Sequence, residues 1–392
     1  MSIWPRVALG DLFEIARGGS PRPIQKYITD QSDGINWIMI SDAPEGSKFI
    51  SGTKKRIRKD GAKNSRMVHP GDFLLTNSMS FGRPYIMRTS GCIHDGWLVL
   101  GRKQVNVDQD FFFHLLSSNA VYSEFVRRAA GATVKNLNID LVRGVEVPVP
   151  PLPEQRRIAD VLDRAEGLRA KRRAAIVQLD TLTQSIFLDL FGDSAVNPKR
   201  IKTASLGSLC TRITDGTHQP PEWSTAGNPF LFVSNIVSGE ITFDTEKFIS
   251  DKTHAALTRR CPIEVGDVLY STVGSYGVPA LVTTSRKFAF QRHIAHLKPN
   301  QKLLDSEFLR VMLASPPVRR QADRAARGVA QKTVNLAEIK EFLVFCPALP
   351  VQRDFARRVA VVEKIKATHL ASLAELDALF AALQHRAFRG EL

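Results

Sequence analysis

The sequence predicts an α+β fold in which two similar globular α/β domains are each followed by one long helix. Three observations predict it. The first is an internal repeat. Residues 131–162 read GATVKNLNIDLVRGVEVPVPPLPEQRRIADVL, and residues 328–359 read GVAQKTVNLAEIKEFLVFCPALPVQRDFARRV. Gly131 falls on Gly328, Lys135 on Lys332, Asn138 on Asn335, Pro153 on Pro350, Gln155 on Gln352 and Arg156 on Arg353, each pair 197 residues apart in a chain of 392. The second is a run of short β-prone segments punctuated by glycine turns, present in both copies. The third is a heptad-like apolar seam after each copy, long enough to need a partner.

In chain order, residues 8–21 (ALGDLFEIARGGSP) resemble 205–218 (SLGSLCTRITDGTH), a short strand and a Gly/Ser/Thr turn. Residues 35–42 (INWIMISD) match 228–235 (NPFLFVSN), two apolar strands ending at a small polar residue. Residues 68–84 (VHPGDFLLTNSMSFGRP) match 263–279 (IEVGDVLYSTVGSYGVP) at an offset of 195, a strand entered from a Gly-Asp turn and left by a tight glycine hairpin. Each copy then has a helical stretch, 108–131 and 305–328, that stops at a glycine. These elements predict a mainly antiparallel or mixed sheet with helices interleaved and following. The proline-rich stop PVPPLPEQ (148–155) opens the first long helix, because proline fits a first helical turn. Its seam runs through Ile158, Val161, Ala165, Leu168, Ala175, Leu179, Leu182 and Ile186, interrupted by Arg172. The second seam runs through Phe355, Val359, Val362, Leu370, Leu373, Leu376, Phe380 and Leu383. Each rod is about 50 Å long at about 1.5 Å per residue, and the cheapest partner for one is the other. The predicted divisions are a domain at 1–150, a helix at 151–195, a domain at 196–347 and a helix at 348–392.

Composition narrows the function. Hydrophobic residues make up 43% and charged residues 24%, as in a globular protein. No eighteen-residue apolar stretch suits a membrane span, and the start MSIWPRVALGDLFEI has no secretory pattern. The four cysteines stand apart without a CxxC pair, which suits reduced thiols in the cytoplasm rather than zinc or disulfides. The net charge of +15 implies an anionic partner, first of all nucleic acid. That excess lies on the two larger units: residues 1–150 hold 20 Lys and Arg against 14 Asp and Glu, and residues 201–350 hold 18 against 13.

Three places in each copy suit DNA contact, where Lys, Arg and backbone donors hold phosphates and reaching side chains read base edges. The first is the glycine hairpin, with Ser80, Phe81 and Arg83 in one copy and Ser275 and Tyr276 in the other; an ordinary turn is its plainer reading. The second is the amide-rich loop before the conserved helix, with Thr133, Lys135, Asn136 and Asn138, then Gln331, Lys332, Thr333 and Asn335; capping is the plainer reading. The third is the basic run at 54–66, represented by Lys54, Lys55, Arg56 and Arg58. The second copy has no such run, and Arg292 and His293 are among its nearest counterparts.

PLPEQRRIADVLD (151–163), after a GxTxxxLN-like stretch and before a long helix, resembles the conserved region of specificity subunits of type I restriction–modification enzymes. ALPVQRDFARRV (348–359) repeats it with Val351 where the first copy has Glu154, and the resemblance covers the whole chain. It implies two target-recognition domains joined by two antiparallel, coiled-coil-like helices with a pseudo-two-fold repeat. Each domain would read one half of an asymmetric, bipartite double-stranded DNA site. The helices would set the spacing and dock two methyltransferase (modification) subunits, with restriction subunits joining them. No catalysis and no cofactor are expected of the chain itself.

The alternatives are a single-chain methyltransferase or nuclease with an unrecognised site, and a scaffold whose domains bind nothing. Neither NPPY nor DPPY occurs, since Asn228-Pro229-Phe230 lacks the second proline, and no GxxxxGK[ST] loop is present. Asp323, Glu338 and Lys340 have the residue types of a magnesium nuclease site, but the last two fall in an amphipathic segment where a solvent-facing role is expected. The nine histidines form no HExxH.

Overall fold

The computed structural model describes residues 4–44, 46–78, 81–103, 106–129, 137–193, 196–328 and 331–392. The chain forms two compact units. Unit 1 combines Met1–Ala174 with Leu370–Leu392, and unit 2 is Ala175–His369. Two helices are long, Leu152–Phe191 and Leu349–Ala387, and each is shared between the units. No helix among the described residues is long and apolar enough to cross a membrane.

Unit 1 contains two five-stranded mixed sheets. One runs in the order Phe13–Arg17, Trp97–Arg102, Phe73–Thr76, Pro84–Met87, Phe49–Ile50, antiparallel until its last, parallel pair. The other runs Ile28–Thr29, Lys55–Ile57, Ile35–Ile38, Gly91–Ile93, Arg66–Val68, with one parallel pair, Ile35–Ile38 beside Gly91–Ile93. Unit 2 has a four-stranded antiparallel sheet, Cys210–Asp215, Ile294–Pro299, Val268–Ser271, Pro279–Leu281. Beside it lies a three-stranded sheet, Phe248–Ile249, Asn228–Leu231, Ala289–Phe290. Each unit closes its ends with an antiparallel pair: Arg6–Ala8 with Glu146–Pro148, and Thr203–Ser205 with Leu343–Phe345.

Two details depart from the expectation. Each predicted helical stretch is broken in two: Gln109–Leu116 then Asn119–Ala129, and Ser306–Ala314 then Pro316–Ala325. In unit 2 the break has an evident cause, because Pro316 and Pro317 lack N–H groups and open a new helix. That helix ends at Ala325, three residues before Gly328; Gly131 lies outside the described residues. The glycine hairpin of unit 2 is also wider than a two-residue turn, since residues 272–278 link its strands.

The first helix of each pair is capped by an aspartate, Asp108 accepting from Phe111 N–H and Asp305 from Phe308 N–H, both at 3.0 Å. The repeated glutamine then ties that cap to the long helix. Gln155 and Gln352 are both 0% exposed. Gln155 Oε1 accepts from Asp108 N–H at 2.9 Å, and its amide donates to the carbonyls of Asn106 at 3.0 Å and Pro150 at 2.9 Å. Gln352 accepts from Asp305 N–H at 2.9 Å and donates to Leu303 at 3.0 Å and Pro347 at 2.7 Å. A buried carboxamide has one acceptor and two donor hydrogens, and here both sides are used.

The long helices run antiparallel within each unit. In unit 1, Arg157 donates to the Leu392 carbonyl at 2.9 Å, while twelve residues on Arg169 donates to Asp377 at 2.6 Å. Arg169 also lies 4.4 Å from the Phe380 ring centroid. In unit 2, Lys366 pairs with Asp180 at 2.6 Å, and Phe355 packs edge-on against Phe187 and Phe191 with centroids 5.8 and 5.5 Å away. Burial is deepest where the rods meet the sheets: Ile158, Ala159 and Leu162 in unit 1, and Phe187, Phe191, Phe355 and Val359 in unit 2. The expected seam is looser elsewhere. Leu168, Leu182 and Leu370 are 54%, 44% and 49% exposed, so those seam positions face solvent instead.

Unit 2 buries an ionic group. Asp267 and His296, 6% and 1% exposed at the side chain, lie 2.7 Å apart. Lys298 reaches the same carboxylate at 2.8 Å, and Cys261 Sγ lies 3.4 Å from the other imidazole nitrogen. Burial opposes both charges of the pair, yet their mutual hydrogen bond prevails. It holds the Asp267 carboxyl below the usual aspartate range and His296 above the usual histidine value. The Asp267 contribution is therefore complete above about pH 4 and is lost as pH falls through its lowered pKa. The His296 contribution is complete below about pH 6.5 and is lost as pH rises through its raised pKa. We expect urea-unfolding midpoints to decline on both sides of that window. His296→Gln should cost about 3 kcal/mol near neutrality and remove the alkaline limb of the profile.

Candidate nucleic-acid interface

In unit 2 a buried serine shapes the hairpin loop. Ser271 accepts the Gly277 N–H on its carbonyl at 2.8 Å and the Val278 N–H on its hydroxyl at 2.9 Å, and its hydroxyl donates to the Ser275 carbonyl at 2.7 Å. Two other segments are bound to this loop. Thr272 N–H donates to the His293 carbonyl at 3.0 Å. Gly274 N–H donates to the Lys332 carbonyl at 3.0 Å, Val334 N–H donates to Thr272 at 2.9 Å, and Val273 bridges Thr333. Three stretches far apart in the chain therefore meet at one edge of the four-stranded sheet. Ser275, Arg292, Gln331 and Lys332 are exposed there, and Thr333 and His293 are half-buried. Partial burial, and then the neighbouring Arg292 guanidinium, hold His293 below the usual histidine pKa, which favours a neutral imidazole able to donate and accept.

Unit 1 repeats the arrangement. Thr76 takes the serine's part, accepting Gly82 N–H on its carbonyl at 2.7 Å and Arg83 N–H on its hydroxyl at 2.9 Å. Asn77 N–H donates to the Gly96 carbonyl and Leu137 N–H to the Asn77 carbonyl, both at 2.9 Å. Of the candidates here, Ser80, Thr133, Lys135 and Asn136 lie outside the described residues. Arg83 is exposed; Phe81 is half-buried and stacks on Tyr122 with centroids 6.1 Å apart.

The structure gives several candidates other work. Asn138 Oδ1 accepts from Leu141 N–H at 2.8 Å and caps the helix Ile139–Arg143. Asn335 caps Leu336–Lys340, where Glu338 returns a bond to the Asn335 N–H at 3.2 Å. Tyr276 is only 6% exposed, and its hydroxyl donates to Asp323 at 2.8 Å. Lys54, Lys55, Arg56 and Arg58 are exposed on or beside the strand Lys55–Ile57 of the other five-stranded sheet. Arg58 there pairs with Asp60 at 2.5 Å and lies 5.8 Å from the Tyr27 ring centroid. Asp323 is engaged by Tyr276 and Arg319, and Glu338, half-buried rather than solvent-facing, pairs with Arg327 at 3.2 Å. Among the described residues no group of three or more His, Cys, Asp or Glu could hold a metal ion.

Other basic side chains stand at the same edges. In unit 1, Arg17 donates to the Asp95 carbonyl at 2.9 Å, Arg22 reaches the Asp95 carboxylate at 3.5 Å, and Arg66 donates to the Arg17 carbonyl at 3.0 Å. All three are exposed beside the turn that holds Asn77, as is Arg327 beside Thr333 in unit 2. For Arg17 and Arg22 the signal in sequence is the small-residue turn after the strand Phe13–Arg17, which unit 2 repeats after Cys210–Asp215. A Cβ on Gly18 would lie 2.2 Å from the His94 carbonyl oxygen, and one on Gly216 would lie 2.1 Å from that of Phe290.

A family model described as "Type I restriction modification DNA specificity domain" matches residues 1–178. The EcoBI specificity subunit of Escherichia coli is 22% identical over 99% of this chain and 86% of its own length. The EcoKI specificity subunit of Escherichia coli strain K12 is 22% identical over 99% of this chain and 89% of its own length. A solved chain from work on complex assembly and conformational transition of the type I R-M system shares the fold at a TM-score of 0.60, with 19% identity and coverage of 99% of this chain and 98% of that one. The S subunit of a type I system from M. genitalium aligns with a TM-score of 0.56 at 15% identity, covering 99% and 96%. Residues 1–178 thus match the type I DNA specificity domain, and the whole chain is similar in sequence to type I specificity subunits and shares the fold of solved type I chains.

Proposed function

We propose that the chain is the non-catalytic DNA-recognition subunit of a type I restriction–modification complex. Residues 1–150 and 196–347 act as its two target-recognition domains, each reading one half of an asymmetric bipartite site. The observation that carries this reading is the doubled edge, where hairpin loop, turn and pre-helix loop meet with exposed Arg, Lys, Gln and Ser side chains in unit 2 and Arg side chains in unit 1. Backbone amides and cations of this kind hold phosphates, and amides and guanidinium groups read adenine and guanine edges. That the half-sites differ in sequence is supported by the exposed Arg83 of one head standing where Val278 stands in the other. Helices of 40 and 39 residues are about 60 Å long, more than one turn of duplex at about 34 Å, which favours unread base pairs between the halves. The long helices serve two modification subunits, and restriction subunits complete the assembly in the cytoplasm.

Co-expression with the modification subunits followed by methylome sequencing tests this directly. A split, asymmetric methylated motif is expected, and a single continuous motif would overturn the reading. Binding should weaken steeply with salt. Lys332→Ala should reduce the slope of log affinity against log salt by about one and weaken binding to all sequences alike, as a phosphate contact does. Arg292→Ala should instead relax preference at one base position if it reads a base edge, at a cost of about 1–3 kcal/mol.

A further inference from the structure

The two heads hold their hairpin loops by different chemistry. In unit 2, Tyr276 donates its hydroxyl to Asp323 Oδ1 at 2.8 Å, and Arg319 Nε donates to the same oxygen at 3.1 Å. A terminal nitrogen of Arg319 donates to the Tyr276 carbonyl at 2.6 Å, and its guanidinium carbon lies 4.6 Å from the Tyr276 ring centroid. Gly277, at φ +86°, makes room: a Cβ there would lie 2.7 Å from the Arg319 nitrogen. The hairpin is thus clasped to the helix Pro316–Ala325 from both ends of one tyrosine. At the matching positions unit 1 has Phe81, Tyr122 and Val126, and Phe81 stacks on Tyr122 with centroids 6.1 Å apart.

Resting on the DNA-reading function proposed above, we propose that Tyr276, Arg319 and Asp323 are positioning residues for one half-site: their clasp sets where Gly274, Ser275 and the attached loop of Gln331, Lys332 and Thr333 meet DNA. The attachment is already made by backbone, through Gly274 N–H to Lys332 and Val334 N–H to Thr272. A shift of the tyrosine end therefore moves both loops together. Reading a base edge demands placement of a hydrogen-bonding group to within a fraction of its length, whereas phosphate contact tolerates more. The clasp therefore governs discrimination more than affinity. The other head, fastened by apolar stacking, is indifferent to its loss.

The test uses the full chain assembled with its modification subunits, carrying Tyr276→Phe or Asp323→Ala. Binding is measured on the cognate duplex and on duplexes with each single-base change in either half. Discrimination should fall about tenfold at positions of one half-site and stay unchanged in the other. The triple variant Tyr276→Phe, Arg319→Tyr, Asp323→Val installs the apolar set of unit 1 and should recover most of the loss. Hydrogen exchange on the same proteins gives a readout without DNA: the Gly274 and Val334 amides should exchange faster in the single variants and recover in the triple. Unchanged discrimination in both halves, equal loss in both, or unchanged exchange at Gly274 and Val334 would overturn the proposal. Should the wild-type complex discriminate no bipartite site while exchange responds as described, the DNA reading fails and the clasp stands as a structural device alone.

Discussion

Gln155→Leu or Gln352→Leu is expected to destabilise its own unit by about 2–4 kcal/mol, read as a lowered urea midpoint. Leucine fills a similar volume but removes the bonds to one N–H and two carbonyls, those of Asp108, Asn106 and Pro150 in unit 1, or Asp305, Leu303 and Pro347 in unit 2, all made by a fully buried side chain. Each orphaned group costs about 1–3 kcal/mol. For units of this size the melting temperature should fall by about 10 °C. The effect should be confined to the altered unit, because each glutamine bonds only within its own copy of the repeat. A loss below about 1 kcal/mol would show that solvent reaches these groups and replaces the side chain.

Phe355→Ala should be of similar size in unit 2. Phe355 is 0% exposed, with ring centroids of Phe191, Phe187 and Phe308 at 5.5, 5.8 and 6.0 Å. Truncating a buried phenylalanine costs about 3–5 kcal/mol, and the lost edge-to-face pairs add about 0.5–1.5 kcal/mol each. Phe355→Leu should restore a large part by refilling the space. Leu168→Ala is the informative contrast. It belongs to the same predicted apolar seam but is 54% exposed, so its change should stay within about 0.5 kcal/mol. Chemical denaturation of the three variants, followed at equal protein concentration, distinguishes a rod held at its ends from one zipped along its length.

Periodicity carries most of the architecture. A duplicated motif, glycine-marked strands and two long helices are patterns that survive in linear text, and the folded units have them. The discrepancies arise where the sequence pattern cannot decide between partners. Leu168, Leu182 and Leu370 have the right spacing for a seam, but spacing does not say whether another side chain stands opposite. Gln155 and Gln352 align as identical letters, yet their bonding depends on carbonyls about 50 residues earlier in the chain.

The candidate site was legible in part. The hairpin and the pre-helix loop of unit 2 are bonded neighbours, and Arg292–His293 joins them. Asn138 and Asn335 cap helices, a role compatible with their sequence, because an asparagine before a helical run offers its oxygen to the first turn. Tyr276 suggests a groove probe by type, but burial and Asp323 make it an anchor. Arg17 and Arg22 flank a turn at Gly18 where two backbones approach closely.

The division of the chain between the units has a consequence for synthesis. Unit 2 is one continuous stretch, Ala175–His369, whereas unit 1 needs Leu370–Leu392 to cover Phe111, His114 and the neighbouring side chains. A ribosome adding about 5–20 residues per second takes about 10–40 s to pass from one part of unit 1 to the other. During that interval the first head has an uncovered apolar face while the second emerges complete. The head translated first is thus the one finished last, and it is the one that a chaperone or an early-bound partner would need to shield.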